Sequence, residues 1–197
     1  MKFSSQEEYL RSKDKKLKNI IDKNGHIVYK PSKENQFDAI VGIVISQFIS
    51  TAAANSIFNN IKKSFDSEHL NIRHFQNLSV EEIKQFGLSK NKAKTIKELC
   101  QLTSNNRFKD LSKLSPENLN KELLNIFGIG PWSVSMFEIF CIGTLDIFSS
   151  RDAGLRLAMD NFGFVEAGSD WTDYDKYAEK WSPFRTIASL HLWKTVD

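Results

Sequence analysis

From Phe37 onward the apolar residues fall at Phe37, Ile40, Val41, Val44, Ile45, Phe48 and Ile49. That i, i+3, i+4, i+7 spacing predicts a helix with a wide buried stripe and is the strongest periodic signal in the chain. After Ser50 and Thr51 the pattern resumes at Ala52, Ala53, Ile57, Ile61 and Phe65, which predicts a second helix and makes the two a helical hairpin or bent pair. The punctuation that follows is helical too. Ser79-Val80-Glu81-Glu82 is a capping box opening a short helix that Gly87 ends, Ser89 begins the next, and Ser115-Pro116-Glu117 places proline in the first turn of another. That helix stops at Phe127-Gly128-Ile129-Gly130, and Pro131 restarts one through residues 132–142. Residues 146–152 form a connection into a helix over 153–162, Asp173 to Trp181 give one more, and the last follows Pro183 over 184–195. Strand-like alternation is confined to HIVYK at 26–30, and the polar, lysine-rich first 30 residues read as a separate helix or a partly ordered arm. The expectation is an all-α fold of about nine or ten short helices.

Composition narrows this picture. With 197 residues, 41% of them apolar, the chain is long enough for one substantial core in one lobe or two. Twenty-seven Lys and Arg against 24 Asp and Glu leave a net charge of +3, which excludes a polycationic arm but leaves room for a DNA-binding face. The two cysteines, Cys100 and Cys141, are too few for a disulfide framework, a four-cysteine zinc site or an iron–sulfur cluster, and point to a reducing, intracellular setting with both thiols packed in the interior. His26, His69, His74 and His191 have no ligand spacing with one another or with either cysteine, so neither a catalytic metal nor a cofactor is expected. The N-terminus has no apolar signal segment and no run approaches the roughly 18 apolar residues of a membrane span, so a soluble, unexported protein that does not engage membranes is expected.

The segment LLNIFGIGPWS at 123–133 reads as helix, Gly-x-Gly turn, helix. Two glycines allow positive φ and expose successive backbone N–H groups beside the next helix start, a nest suited to a phosphate; a glycine pair between helices is also ordinary turn chemistry. Asp152 follows 22 residues after Gly130 and reads either as a chemically active carboxylate or as the N-cap of the helix at Ala153.

Five segments, in order, carry a resemblance that bears on these alternatives: residues 37–50, 86–102, 127–137, 146–156 and 177–193, the last containing WSPFR. Through them the chain resembles the helix–hairpin–helix superfamily of base-excision DNA glycosylases and, within it, the alkylation-repair 3-methyladenine DNA glycosylase II family. The resemblance covers roughly residues 35–195 and implies a two-lobed helical fold flanking a cleft into which a damaged base is flipped. It implies an organisation of residues 1–34 as an N-terminal helix or arm packing on the C-terminal lobe, and 35–197 as the core. Within that core the helical lobe spans about 35–127, the hairpin 123–137 and the C-terminal helices 138–197.

The resemblance also implies roles. Asp152 matches the catalytic aspartate, stabilising positive charge on the deoxyribose as the N-glycosidic bond breaks. Trp132 stands where lyase-competent members carry a Schiff-base lysine, so a monofunctional hydrolase is implied. Trp132, Trp193, Gln47 and Met136 fall at base-pocket positions, where aromatic faces attract a cationic base, although the tryptophans also suit ordinary core packing. Met136 and Ala153 replace tyrosines common in relatives, which leaves the lesion spectrum open. Phe48 falls at the wedge that fills the gap left by the flipped nucleotide, yet it is also in phase with the buried stripe. Gly128, Ile129, Gly130, Ser133, Lys90 and Lys92 are expected to contact DNA phosphates, with Lys94 and Lys97 in the same acid-free run, and the Gly128 and Gly130 carbonyls are able to hold a cation. The partner implied is double-stranded DNA with damaged bases, and the protein a monomer, nucleoid-associated in the cytoplasm of a prokaryote or nuclear in a eukaryote. The alternatives are a glycosylase for an oxidised or deaminated base, or a non-catalytic DNA-binding domain.

Overall fold

The computed structural model describes residues 2–32, 36–104, 111–166 and 168–196. Among them are twelve α-helices and no strand. The count exceeds the predicted nine or ten because the N-terminal segment forms two helices, α1 (Ser5–Lys13) and α2 (Lys15–Asn24), and because Ile72–Phe75 forms a single turn, α5. None of the described helices is long and apolar enough to cross a membrane.

The chain divides into two compact units, residues 32–142 and residues 1–31 with 143–197. The first contains α3 (Gln36–Ser46), α4 (Thr51–Ser64), α5, α6 (Val80–Lys84), α7 (Lys90–Ser104), α8 (Pro116–Leu124) and α9 (Pro131–Phe137), which runs on as a π-helical turn over Glu138–Ile142. Its central element is α3, which buries Ile40, Val41, Ile43, Val44 and Ile45 and packs against α4, α7 and α9. The capping boxes read from the sequence are in place. Ser79 and Glu82 satisfy each other's backbone N–H groups at the start of α6, Gly87 takes φ +86° after it, and Ser115 caps α8 ahead of Pro116. Cys100 and Cys141 are both buried, and burial pushes both thiols up to about 11, so they are inert packing groups.

The second unit combines α1 and α2 with α10 (Ala153–Asn161), α11 (Trp171–Ala178) and α12 (Arg185–Trp193). Leu10, Leu17, Ile20 and Ile21 pack into one core with Leu155, Met159, Tyr174, Trp181, Ala188 and Leu192. Polar contacts fix the N-terminal pair in register. Asp14 ends α1 and caps α2, accepting from Lys16 N and Leu17 N with one oxygen and from Tyr177 Oη and Trp181 Nε1 with the other. The fully buried Glu7 accepts from Ser4 N, Ile27 N and His26 Nδ1, and its Oε1 lies 3.2 Å from His191 Nε2 of α12. A buried carboxylate is tolerable only with such a full set of partners.

Candidate functional site

In residues 32–142 the hairpin joins α8 to α9. Gly128 has φ +77°, and a Cβ there would lie 2.2 Å from Thr95 Oγ1 on α7, so both the backbone and the neighbour demand glycine. Gly130 differs from expectation. It is extended, at φ −113° and ψ 177°, and a Cβ on it would meet nothing within 4 Å. It is the N-cap of α9 and brings no side-chain oxygen of its own to that helix start.

Three of the residues expected to contact phosphate have partners within the protein. Ile129 is buried and its N–H donates to the Ile126 carbonyl, so it holds the turn together. Ser133 is 3% exposed, and its Oγ accepts from Gln47 Nε2 at 2.9 Å. Lys92 is half-buried and its ammonium donates to the Ile45 carbonyl at 2.7 Å, capping the end of α3; burial lowers its pKa. Lys90 is exposed. Lys94 is the lysine beside the hairpin, its Nζ 5.9 Å from the centroid of the half-exposed Phe127 ring.

Gln47, expected to face the base, instead ties the end of α3 to the hairpin: its Nε2 donates to the Gly128 carbonyl at 2.9 Å as well as to Ser133. The Gly128 oxygen expected to be able to hold a cation is thus already an acceptor within the protein. Among the described residues no group of three or more His, Cys, Asp or Glu is arranged to hold a metal. Trp132 lies half-buried in the first turn of α9, and Met136, 4% exposed, presents almost no surface to a ligand.

Phe48 leaves the stripe it appeared to belong to. The helix stops at Ser46, and Phe48 takes φ +59° with its side chain fully exposed before Ser50 caps α4. A left-handed, fully solvated phenylalanine costs backbone strain and returns no burial.

In the other unit, Asp152 is the N-cap of α10, the second of the two readings that the sequence offers. Its Oδ1 accepts from Leu155 N at 2.8 Å and from Trp193 Nε1 at 2.9 Å, at a helix end where the backbone dipole favours negative charge. The edge of the half-buried Trp193 indole is therefore committed to the carboxylate. Gly154, which the sequence reading passed over, makes this possible. A Cβ there would lie 3.2 Å from Asp152 Oδ1 and 3.4 Å from Trp193 Cδ1, so glycine lets the indole lie across the first turn of α10.

The WSPFR segment fixes the connection that leads to Asp152. Arg185 Nε donates to Asp146 Oδ1 at 2.7 Å and Ser182 Oγ to Asp146 Oδ2 at 2.8 Å; burial alone would raise the Asp146 carboxyl, but these donors hold it below its ordinary value. Thr186 adds a bond from Oγ1 to the Thr144 carbonyl and accepts from Ile147 N. Ser150 N and Oγ both donate to Asp175 of α11. The catalytic candidate thus stands on a strut pinned at both ends.

An all-helical chain with a Gly-x-Gly hairpin and, downstream, an aspartate capping a helix defines a class, and residues 41–183 match the HhH-GPD superfamily of base excision DNA repair proteins: the chain belongs to that family. It is 28% identical to the alkylbase DNA glycosidase-like protein mag2 of Schizosaccharomyces pombe, over 98% of this chain and 93% of that protein. To the DNA-3-methyladenine glycosylase of Saccharomyces cerevisiae it is 25% identical, over 98% of this chain and 79% of that one. Among solved structures it superposes on the S. pombe 3-methyladenine DNA glycosylase Mag1 in complex with abasic DNA, with a TM-score of 0.89 and 26% identity over 98% of this chain and 96% of that one.

Proposed function

We propose that this protein is a monofunctional DNA glycosylase that hydrolyses the N-glycosidic bond of alkylated purines, of the 3-methyladenine and 7-methylguanine type, in double-stranded DNA. It acts as a monomer in the first step of base excision repair. The observation that carries the reading is the Asp152 carboxylate, held by the Leu155 N–H and the Trp193 indole at the start of α10.

A carboxylate preorganised in this way stabilises the positive charge that develops on the deoxyribose as the bond to the base lengthens. The alkylated purine already bears positive charge and departs with the bonding electron pair, which neutralises it, so no strong general acid is needed. Water adds at C1′ and gives its proton to the carboxylate or to solvent. Trp132 in the hairpin offers no amine, so no Schiff base forms and the product is an abasic site. DNA is gripped through Gly130 and the start of α9, with Lys90 and Lys94 adding charge, and Phe48 fills the stack where the nucleotide has left. Trp132 supplies an aromatic face for the cationic base.

Asp152→Asn tests this. Asparagine is an equally good N-cap, so α10 and the fold should persist and affinity for duplex DNA carrying an abasic analogue should be retained. Release of methylated bases, followed by chromatography from methylated DNA, should fall about 10²- to 10³-fold. Undiminished release would overturn the assignment.

A further inference from the structure

Beside Asp152 lies a second constellation, which the reaction does not use. Arg151 is exposed, and its guanidinium carbon sits 4.8 Å from the centroid of Trp171; that of Arg156, one turn into α10, sits 5.6 Å from the same ring. Trp171 opens α11 and is 47% exposed. Neither arginine makes an ion pair among the described residues. Neighbouring carboxylates are engaged elsewhere: Asp175 accepts from Ser150 with both oxygens, and Asp160 accepts from Tyr174 Oη at 2.7 Å. The turn carrying Arg151 is braced from the other side as well, since Arg156 Nη1 donates to the Ser150 carbonyl.

Two guanidinium groups thus lie against one neutral ring. The indole orients them by cation–π attraction but cancels no charge. An anion that meets them gains charge-assisted hydrogen bonds from planar guanidinium donors, the geometry that matches a phosphate. A DNA strand presenting a sugar to Asp152 carries its backbone past the residues that flank Asp152 in the chain, and of its two chain neighbours, Arg151 and Ala153, Arg151 is the charged one. We propose that Arg151 and Arg156, held on Trp171, form a clamp for a phosphodiester of the lesion-bearing strand next to the excised nucleotide. The proposal rests on the glycosylase reading for the identity of its ligand.

The test uses the full chain and a fluorescent duplex with a central tetrahydrofuran abasic analogue, titrated between 50 and 200 mM salt. Losing one phosphate contact should lower the slope of log Kd against log salt by about one, equivalent to about 3.5-fold in affinity over that range. Arg151→Ala should show that loss, Arg151→Lys should restore most of the slope with lower affinity, and Trp171→Ala should behave like Arg151→Ala. Single methylphosphonate replacements flanking the lesion then locate the contact: at one or two positions the neutral linkage should weaken the wild type about threefold or more and leave Arg151→Ala unaffected. An unchanged slope in Arg151→Ala, or equal penalties at every position, overturns the clamp. Base release by the wild type together with an unchanged slope in the variant defeats the clamp alone. A slope change in Arg151→Ala beside a wild type that releases no methylated base upholds the phosphate contact and defeats the glycosylase reading.

Discussion

The two hairpin glycines should fail in opposite ways when each is given a methyl group. At Gly128 an alanine would occupy φ +77°, a left-handed conformation that costs an L residue about 1–2 kcal/mol. Its Cβ would also stand 2.2 Å from Thr95 Oγ1, and Thr95 is 1% exposed with its hydroxyl bonded to the Asn91 carbonyl, so yielding costs that bond, about 1 kcal/mol more, and disturbs α7. Gly128→Ala should therefore destabilise by about 2–4 kcal/mol, roughly 4–16 °C in Tm for a chain of this size. Gly130→Ala meets open space in an extended backbone and should stay within about 0.5 kcal/mol of the wild type, or gain slightly through the unfolded chain. Its methyl group, however, would project where a phosphate approaches the start of α9. Thermal and urea unfolding set beside DNA titration separate the two: Gly130→Ala should bind duplex DNA about tenfold more weakly at unchanged stability. If Gly130→Ala unfolds as readily as Gly128→Ala, or binds DNA like the wild type, the assignment of one glycine to the fold and the other to the ligand is wrong.

Further expectations follow from single contacts. Trp193→Phe keeps an aromatic ring but removes the N–H that Asp152 Oδ1 accepts, and losing a hydrogen bond to a charged group, about 1.5–3 kcal/mol, should lower kcat roughly 10- to 100-fold with KM little changed; an unaltered single-turnover rate would show that the indole does not position the carboxylate. Phe48→Gly relieves the left-handed strain and should raise stability by about 1 kcal/mol while slowing base release from duplex DNA more than from single strands; equal rates on both substrates would rule out a wedge. Burial alone would raise the Glu7 carboxyl, but bonds from Ile27, Ser4 and His26 outweigh it and hold the group at about 2 against an ordinary 4.5. A depressed folded-state pKa contributes stability that is complete above about pH 4.5 and lost as pH falls toward 2, here about 3 kcal/mol, so urea midpoints of Glu7→Gln should decline less steeply over that window than those of the wild type. Parallel acid limbs would mean that the Glu7 charge contributes nothing.

By itself the sequence determined what depends on near neighbours. The capping box at Ser79, the stop at Gly87 and the Ser115-Pro116 start rest on contacts within a few residues and are realised as read, whereas of the two hairpin glycines Gly128 takes the positive φ that the pattern allows and Gly130 does not. Family membership was legible for a related reason, since the hairpin, Asp152 and WSPFR are short motifs at recognisable spacing. Tertiary structure decided where the polar side chains spend their hydrogen bonds. Lys92 and Ile45 are 47 residues apart, Gln47 and Gly128 81, Asp152 and Trp193 41, and Glu7 and His191 184. Helical periodicity reports which face of a helix is apolar, and on that ground Phe48 belonged in the core; it does not report where the helix ends, and Phe48 lies past that end, with its side chain in solvent. A lysine has the same identity whether it caps a carbonyl or meets a phosphate. Only packing of distant segments, by burying some donors and leaving others exposed, separated the residues that build the hairpin and the Asp152 strut from those that stay in solvent.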